Sequence, residues 1–192
     1  MRTPTFVAID FETADEGRDS ACAVALVKVR GVQIVEQVSA LIRPPRRFFV
    51  FSDLHGITWE HVADMPRFRN VWLSLRGILQ NADFIAAHYA SFDQSVLTTC
   101  CGTAGLRPPS QEFRCTVKLA RRVWGFSPTA LPDVCGRLRI PLRHHDPLSD
   151  AHACARIVIA ALKKGYYPGP DLAPYAGGRK SNSQRSRPGK GG

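Results

Sequence analysis

Four acidic residues stand at the edges of apolar segments, where a folded domain would hold their side chains rigidly. Asp10 and Glu12 lie in FVAIDFET, Asp93 follows FIAAHYASF, and Asp150 follows HHDPLS. Carboxylates that a fold brings close together repel one another, and a bound cation relieves that repulsion. The placement therefore predicts that folding gathers these four side chains around divalent metal ions.

The apolar pattern predicts three strands at the start of the chain. Residues 5–10, 21–29 and 32–42 have the composition of buried or half-buried strands. The dipeptide Arg30-Gly31 suits a tight connection between the second and the third. These three strands are expected to form an antiparallel meander.

The remaining sequence alternates between helical and strand patterns. Helices are expected at about 67–80, after a cap at Ser91, at 116–124, at 131–138, and at 150–164 after a cap at Ser149. Short strands are expected at 83–87 and 112–115. Strands followed by this alternation predict an α/β fold, in which helices flank a mixed central sheet.

Length and composition are those of one globular domain. The chain has 192 residues, 44% of them hydrophobic, which is enough for a single core. We expect a folded domain over 1–168 and a disordered tail over 169–192, where Gly, Pro, Ser and Arg dominate. The six cysteines lack the spacing of a zinc site and are expected to be buried free thiols.

The sequence has neither a signal-peptide pattern nor an apolar stretch that could span a bilayer. A cytoplasmic protein is therefore expected, with no membrane partner. The net charge is +10, and the tail from Gly177 has five basic residues and no acidic one. The body of the chain is thus basic without the tail. A basic surface around clustered carboxylates suits a polyanion held at a metal centre.

Local geometry connects the acidic residues to one site. Side chains alternate across a strand, so Asp10 and Glu12 should point to the same face. Asp93 and Asp150 are each expected in the first turn of a helix, where the helix dipole tolerates an anion. His145 precedes Asp150 on a loop, and its neighbour His144 is expected to be solvated.

Three segments together resemble the DnaQ-like (DEDDh) 3′–5′ exonucleases of the RNase H-like superfamily. The segments are DFET at 10–13, HYASFD at 88–93, and the stretch 145–150, which begins at His145 and ends at Asp150. The resemblance covers about residues 4–165 and is strongest to stand-alone bacterial exonucleases of the exonuclease X kind. Two positions depart from the family pattern. Ala14 follows Thr13 where proofreading subunits usually have Gly, and Tyr89 replaces the usual Asn.

The resemblance implies a catalytic set of Asp10, Glu12, Asp93, His145 and Asp150. The four carboxylates would bind two Mg²⁺ ions, for which Mn²⁺ substitutes, and Asp10 would bridge them. His145 would act as the general base that activates a water molecule. The products would be 5′-mononucleotides.

The substrate implied is nucleic acid with a single-stranded 3′ end, with DNA favoured over RNA. Candidate contacts are the motif residues, an HGIT element and nearby aromatic or basic side chains. They are Thr13, Phe11, His55, His88, Tyr89, Phe92 and Trp59, with Arg43, Arg46 and Arg47 along the phosphate backbone. For the aromatic residues, packing in the core is the alternative interpretation.

Several other functions share these motifs. An RNA-trimming 3′–5′ exoribonuclease would carry the same five catalytic residues. A polymerase-associated proofreading or accessory subunit is a further alternative, and the basic tail could bind a protein partner. A nucleic-acid-binding module on an inactive exonuclease scaffold is disfavoured, because such scaffolds usually lose a metal ligand and this chain retains all four.

Overall fold

The computed structural model describes residues 3–172, which form a five-stranded sheet flanked by helices. The strands are β1 (Thr5–Thr13), β2 (Ala21–Arg30), β3 (Gln33–Leu41), β4 (Phe84–Ala87) and β5 (Phe113–Cys115). Their order in the sheet is β3-β2-β1-β4-β5. The first three strands are antiparallel, whereas β4 and β5 run parallel to β1. The expected mixed sheet with an antiparallel beginning is confirmed.

Seven α-helices surround this sheet in the described part of the chain. They are α1 (Ser52–His55), α2 (Trp59–Val62), α3 (Phe68–Leu75), α4 (Ser91–Thr103), α5 (Thr116–Trp124), α6 (Leu131–Leu138) and α7 (Pro147–Lys163). The sequence did not predict the one-turn helices α1 and α2. The single helix expected at 67–80 is α3 followed by a 3₁₀ turn, Arg76–Leu79. Gly77 lies in that turn, where its low helix propensity disfavours a continuous α-helix.

Two expected helix caps are wrong. Helix α4 begins after Ala90, and Ser91 is already its first residue. Helix α7 begins earlier than expected, because the Asp146 carboxylate accepts a hydrogen bond from the Ser149 amide and Pro147 occupies the first turn. Aspartate is a strong N-cap and proline suits the first helical position, so the Asp-Pro pair sets this boundary.

Strand β1 is the centre of the sheet and separates two hydrophobic cores. Its side chains Val7, Ile9 and Phe11 pack in the core under α3 and α4. The alternate side chains Phe6 and Ala8 pack in the core under α5, α6 and α7. Since both faces of β1 are covered, every residue at its carboxyl end is held in a defined direction.

All six cysteines lie within residues 3–172, where each is buried and unpaired, as expected. Burial raises the pKa of the Cys22 thiol to about 12, which makes it inert as a nucleophile. Among the described residues, every helix falls short of the length and apolar character that crossing a membrane requires.

The packed chain extends beyond the expected domain boundary at 168. Residues Pro170–Leu172 form a 3₁₀ turn, and Leu172 is 1% exposed in the core shared with α5 and α7. Asp171 pairs with Arg122 of α5 at 2.7 Å. Residues 173–192 lie outside the described residues, so the expectation of a disordered basic tail stays a prediction.

Replacing Leu172 by alanine should destabilise the fold by about 2–5 kcal/mol, because it leaves a cavity in the second core. Urea unfolding followed by circular dichroism measures this change. The matched control is Tyr167→Ala, whose side chain is 51% exposed, and an effect within about 0.5 kcal/mol is expected there. If the two substitutions changed the free energy of unfolding equally, Leu172 would not belong to the unit that unfolds cooperatively.

Candidate functional site

Three of the four predicted carboxylates meet at the carboxyl end of β1. Asp10 and Glu12 point to the face that α7 covers, and Asp150 lies in the first turn of that helix. One ligand oxygen from each of the three lies within 4.8 Å of the others. The alternation of a strand and the start of a helix thus place these side chains together, as the sequence predicted.

The fourth carboxylate, Asp93, joins the group from another direction. It lies in the first turn of α4, is 2% exposed, and its Oδ1 accepts a hydrogen bond of 3.1 Å from the Phe11 amide. The pairing of β1 with β4 stops at Ala8, which leaves that amide free for a side-chain acceptor. Asp93 lies close enough to Asp10 for their repulsion to raise the pKa of Asp10.

Burial raises the pKa of every carboxyl group in this cluster, and repulsion between carboxylates adds to the effect at Asp10, Glu12 and Asp93. Burial, and then repulsion from Asp93, Asp150 and Glu12, lift the pKa of Asp10 well above its usual range. Burial, and then the charge of Asp150, raise the pKa of Glu12 to about 8. Burial also raises the pKa of Asp93 to about 8, and it raises the pKa of Asp150 above its usual range. The ionised cluster therefore calls for a compensating positive charge.

The donor set fits a divalent cation that prefers oxygen ligands. Asp150 Oδ1 is buried and lacks a hydrogen-bond partner within residues 3–172. An unpartnered buried carboxylate oxygen is costly unless a cation or a water molecule binds it. Carboxylate oxygens are the ligands that Mg²⁺, Mn²⁺ and Ca²⁺ prefer, so the arrangement can hold such an ion.

Two adjacent histidines approach the same carboxylate. The His145 amide donates a hydrogen bond of 3.0 Å to Asp150 Oδ2, and His144 Nδ1 lies 2.9 Å from the same oxygen. The two imidazole rings stack with their centroids 3.8 Å apart. The expectation that His144 is merely solvated is wrong. Its position six residues before Asp150 was the available signal, since a short loop before a helix start brings it back to that carboxylate.

His55 connects the HGIT element to the end of β1. Its Nδ1 accepts a hydrogen bond of 3.0 Å from the Ile57 amide, which leaves the proton on Nε2 to be donated to the Thr13 carbonyl at 3.2 Å. His55 and His145 both line a cavity of about 300 Å³ beside α7. A cavity of this size suits a single nucleoside or another small ligand.

Three side chains that were predicted to contact substrate make contacts within the protein instead. Phe11 is 3% exposed and belongs to the first core. His88 contacts the Thr116 hydroxyl through Nδ1 at 2.8 Å and the Thr129 carbonyl through Nε2 at 3.0 Å, and burial lowers its pKa to about 4. Direct substrate contact by Phe11 and His88 is therefore corrected to a packing role. Phe92 is half-buried, and the Arg18 guanidinium covers its ring at 4.5 Å.

Tyr89 and Thr13 differ in how much of the side chain is accessible. The side chain of Tyr89 is 53% exposed and can meet a ligand, whereas Thr13 is buried. Tyr89 has a φ of 55°, a left-handed conformation that favours Asn over most other residues. This conformation gives a physical reason for the Asn in the family pattern at this position.

The arginines at 43–47 do not form the expected phosphate-binding cluster. Arg46 pairs with Asp15 at 2.8 Å and with Asp19 at 2.6 Å, which ties this loop to the β1–β2 connection. Arg43 donates to the Ala63 carbonyl at 3.2 Å, and Arg47 lies over the Trp59 ring. Acidic partners 27 and 31 residues away gave no local signal in the sequence.

Arg18 is an exposed cation at the site that the sequence did not identify. Its attraction opposes the raised pKa of Asp93, which places the guanidinium near the acidic cluster. Its neighbours in the sequence are Gly17 and Asp19, a composition that predicts only a solvated turn. The contact with Phe92 is what directs this side chain towards the site.

Comparisons with known proteins show which family this chain resembles. The model of the family described as Exonuclease matches residues 7–158. Exodeoxyribonuclease 10 of Escherichia coli K12 is 31% identical over 162 residues, which are 80% of this chain and 67% of that protein. DNA polymerase III PolC-type of Thermotoga maritima is 30% identical over 159 residues, or 81% of this chain. The match spans only 12% of that polymerase.

Solved structures share the same fold. Exonuclease X in complex with 5′ overhanging duplex DNA superimposes with a TM-score of 0.69 and 26% identity, covering 88% of this chain and 97% of that one. The nuclease domain of 3′hExo bound to rAMP gives a TM-score of 0.73 at 20% identity, covering 84% and 93%. The second likeness, at this low identity, concerns the fold alone.

Without divalent ions, the free energy of unfolding should fall as pH rises from about 6.5 to about 8. Glu12 and Asp93 keep their protons in the folded state up to a pKa of about 8, whereas the unfolded chain has lost them. The folded state then binds more protons, so stability falls by about 1.4 kcal/mol per pH unit for each of them. His88, with a lowered pKa of about 4, has the opposite effect mainly below this window, because the unfolded imidazole titrates near 6.5.

Urea unfolding at several pH values, with a chelator and then with Mg²⁺, measures this dependence. Glu12→Gln should flatten the decline in the presence of the chelator, and Mg²⁺ should reverse it in the unaltered protein. A stability that rises with pH in the chelated protein would contradict the raised pKa values of this cluster.

Proposed function

This chain belongs to the exonuclease family, and we propose that it is a metal-dependent 3′–5′ exonuclease that acts on single-stranded DNA. It would hydrolyse the terminal phosphodiester bond and release 5′-mononucleotides. The observation that carries the proposal is the convergence of Asp10, Glu12 and Asp150 within 4.8 Å, with an unpartnered oxygen on Asp150 and two histidines beside it.

Asp10, Glu12 and Asp150 would hold the metal, with Asp93 as the fourth carboxylate. Their oxygen donors favour Mg²⁺, with Mn²⁺ as a substitute. When bound, such ions lower the pKa of a coordinated water molecule and stabilise charge on the departing oxygen. The rigid position of Asp10 and Glu12 in a strand covered on both faces supports this assignment, because metal geometry tolerates little displacement of its ligands.

His145 would take the proton from the attacking water. Burial, and then the neighbouring His144, lower the pKa of His145, so its imidazole is neutral near physiological pH and can accept a proton. Its amide is bound to Asp150, which keeps the residue next to the proposed metal ligands. The ring is only half-buried and can reach a bound substrate.

The cavity between His55 and His145 would receive the terminal nucleotide. His55 is held there by the Thr13 carbonyl and the Ile57 amide. Tyr89 does not line this cavity, but it offers an exposed ring on which a base can stack. Arg18 would contact a phosphate group near Asp93, in place of the arginines at 43–47. One strand end fits a cavity of this size, which supports a preference for single-stranded termini.

DNA is proposed as the substrate because the relative that this chain matches over 67% of its length is an exodeoxyribonuclease. The similarity to a PolC-type DNA polymerase III supports a second candidate, a proofreading activity that works with a polymerase. An RNA-trimming activity is the further alternative. The 2′-hydroxyl of the terminal sugar distinguishes these substrates.

Asp10→Ala should abolish both Mn²⁺ binding and hydrolysis, because it removes a ligand from the centre of the cluster. His145→Ala should retain Mn²⁺ binding but reduce kcat by roughly 10²–10⁴, the usual contribution of a general base. Calorimetry with Mn²⁺ and a single-turnover assay measure the two effects. His152→Gln, which lies on α7 and contacts Gln37, is the matched control. Full activity in either site variant would contradict the assigned roles.

A labelled-substrate time course with Mg²⁺ tests direction and specificity. Single-stranded DNA, duplex DNA and RNA of one sequence are each labelled at the 5′ end or at the 3′ end. We expect a descending ladder from 5′-labelled single-stranded DNA and immediate release of labelled mononucleotide from the 3′-labelled strand. Faster degradation of RNA would favour the exoribonuclease, and cleavage inside the strand would overturn the exonuclease assignment.

A further inference from the structure

Asp150 belongs to two groups of metal-ligating side chains in the described part of the chain. The first group, with Asp10 and Glu12, offers only carboxylate oxygens. The second group consists of His144, His145 and Asp150, and one ligand atom from each lies within 4.8 Å of the others. The two groups therefore share a residue but differ in donor chemistry.

The histidine pair is held together by the backbone. Side chains of consecutive residues diverge in regular structure, but His145 has a φ of 68°, which turns the second ring back onto the first. A left-handed histidine is unfavourable by itself and persists where surrounding contacts fix it. Here the His145 amide is bound to Asp150, and the Asp146 amide donates to the Arg143 carbonyl at 3.1 Å.

The distances in this group are close to those of a coordinated ion. His144 Nδ1 and Asp150 Oδ2 are 2.9 Å apart, and two ligand atoms on a tetrahedral zinc ion are about 3.3 Å apart. His144 is exposed enough to move by the difference, since 37% of its side chain is accessible. With its proton on Nε2, the Nδ1 lone pair of His144 would face the carboxylate oxygen across the ion.

We infer that His144, His145 and Asp150 form a second metal site, which takes Zn²⁺ or another borderline transition ion and inhibits hydrolysis when occupied. Two imidazole nitrogens and one carboxylate are the donors that zinc favours, whereas Mg²⁺ binds imidazole poorly. The binding of zinc does not depend on the proposed function. Its inhibitory effect does rest on that function.

Inhibition follows from the residues that the two groups share. An imidazole whose lone pair coordinates zinc cannot accept a proton, so His145 would be lost as a base. A carboxylate held by zinc is also a weaker ligand for a second cation, so Asp150 would contribute less to the carboxylate group. The site would therefore couple hydrolysis to the concentration of free zinc.

The test compares zinc binding by the full chain and by three variants. His144→Asn keeps an N–H group that can donate to Asp150 in place of Nδ1 but removes the imidazole ligand. Glu12→Gln alters only the carboxylate group, and His152→Gln controls for the loss of a histidine on α7. Calorimetry with Zn²⁺, in buffer that contains Mg²⁺, gives the affinities, and Co²⁺ absorption reports nitrogen ligation.

We expect the unaltered chain, Glu12→Gln and His152→Gln to bind zinc with similar affinity. His144→Asn should weaken binding by about tenfold or more, because losing even an outer-shell partner of a metal ligand costs about 10–100-fold and His144 is proposed as a direct ligand. Zinc binding that is lost in Glu12→Gln but retained in His144→Asn would place the ion on the carboxylates and overturn the inference. Failure of the unaltered chain to bind zinc would also overturn it.

Inhibition is measured separately, relative to the zinc-free rate of each protein. The zinc concentration that halves hydrolysis should rise by about tenfold in His144→Asn, in line with the affinity change. Unchanged sensitivity to zinc in this variant would refute the inhibitory role. A chain without nuclease activity would refute the proposed function, and the calorimetric comparison would still decide whether the zinc site exists.

Discussion

Repulsion among buried carboxylates at the end of β1 is the constraint on which the site depends. Asp10, Glu12, Asp93 and Asp150 are all removed from bulk water to a large extent, and burial is the first cause of each raised pKa. A fold can tolerate such a cluster only if protons or cations neutralise it. The rest of the structure supplies the rigidity that keeps these groups together despite their repulsion.

That rigidity comes from the central position of β1 between two cores. The strand delivers Asp10 and Glu12 to one face, while α7 brings Asp150 to the same face and α4 brings Asp93 to the strand edge. Both helices present their first turns, where unpaired amides and the helix dipole favour negative charge. The two helix starts thus offset part of the electrostatic cost of assembling the cluster.

Much of this arrangement was predictable because its signals are local. The period of two in β1 predicted that Asp10 and Glu12 share a face, and apolar patterns predicted the sheet and its antiparallel beginning. Other features depend on contacts between distant segments. The sequence predicted that Arg46 contacts phosphate, but its guanidinium pairs with Asp15 and Asp19. It also predicted a substrate contact for His88, whose two ring nitrogens contact Thr116 and Thr129 instead.

The sequence by itself determined the fold class, the family and the carboxylates at the centre of the site, because residue type and local periodicity carry that information. Only the tertiary structure decided which side chains remain accessible to a ligand. It buried Phe11, left Tyr89 exposed, and turned His145 so that His144 reaches Asp150. These outcomes depend on backbone conformation and on packing between segments far apart in the chain. Local sequence patterns predict neither of the two.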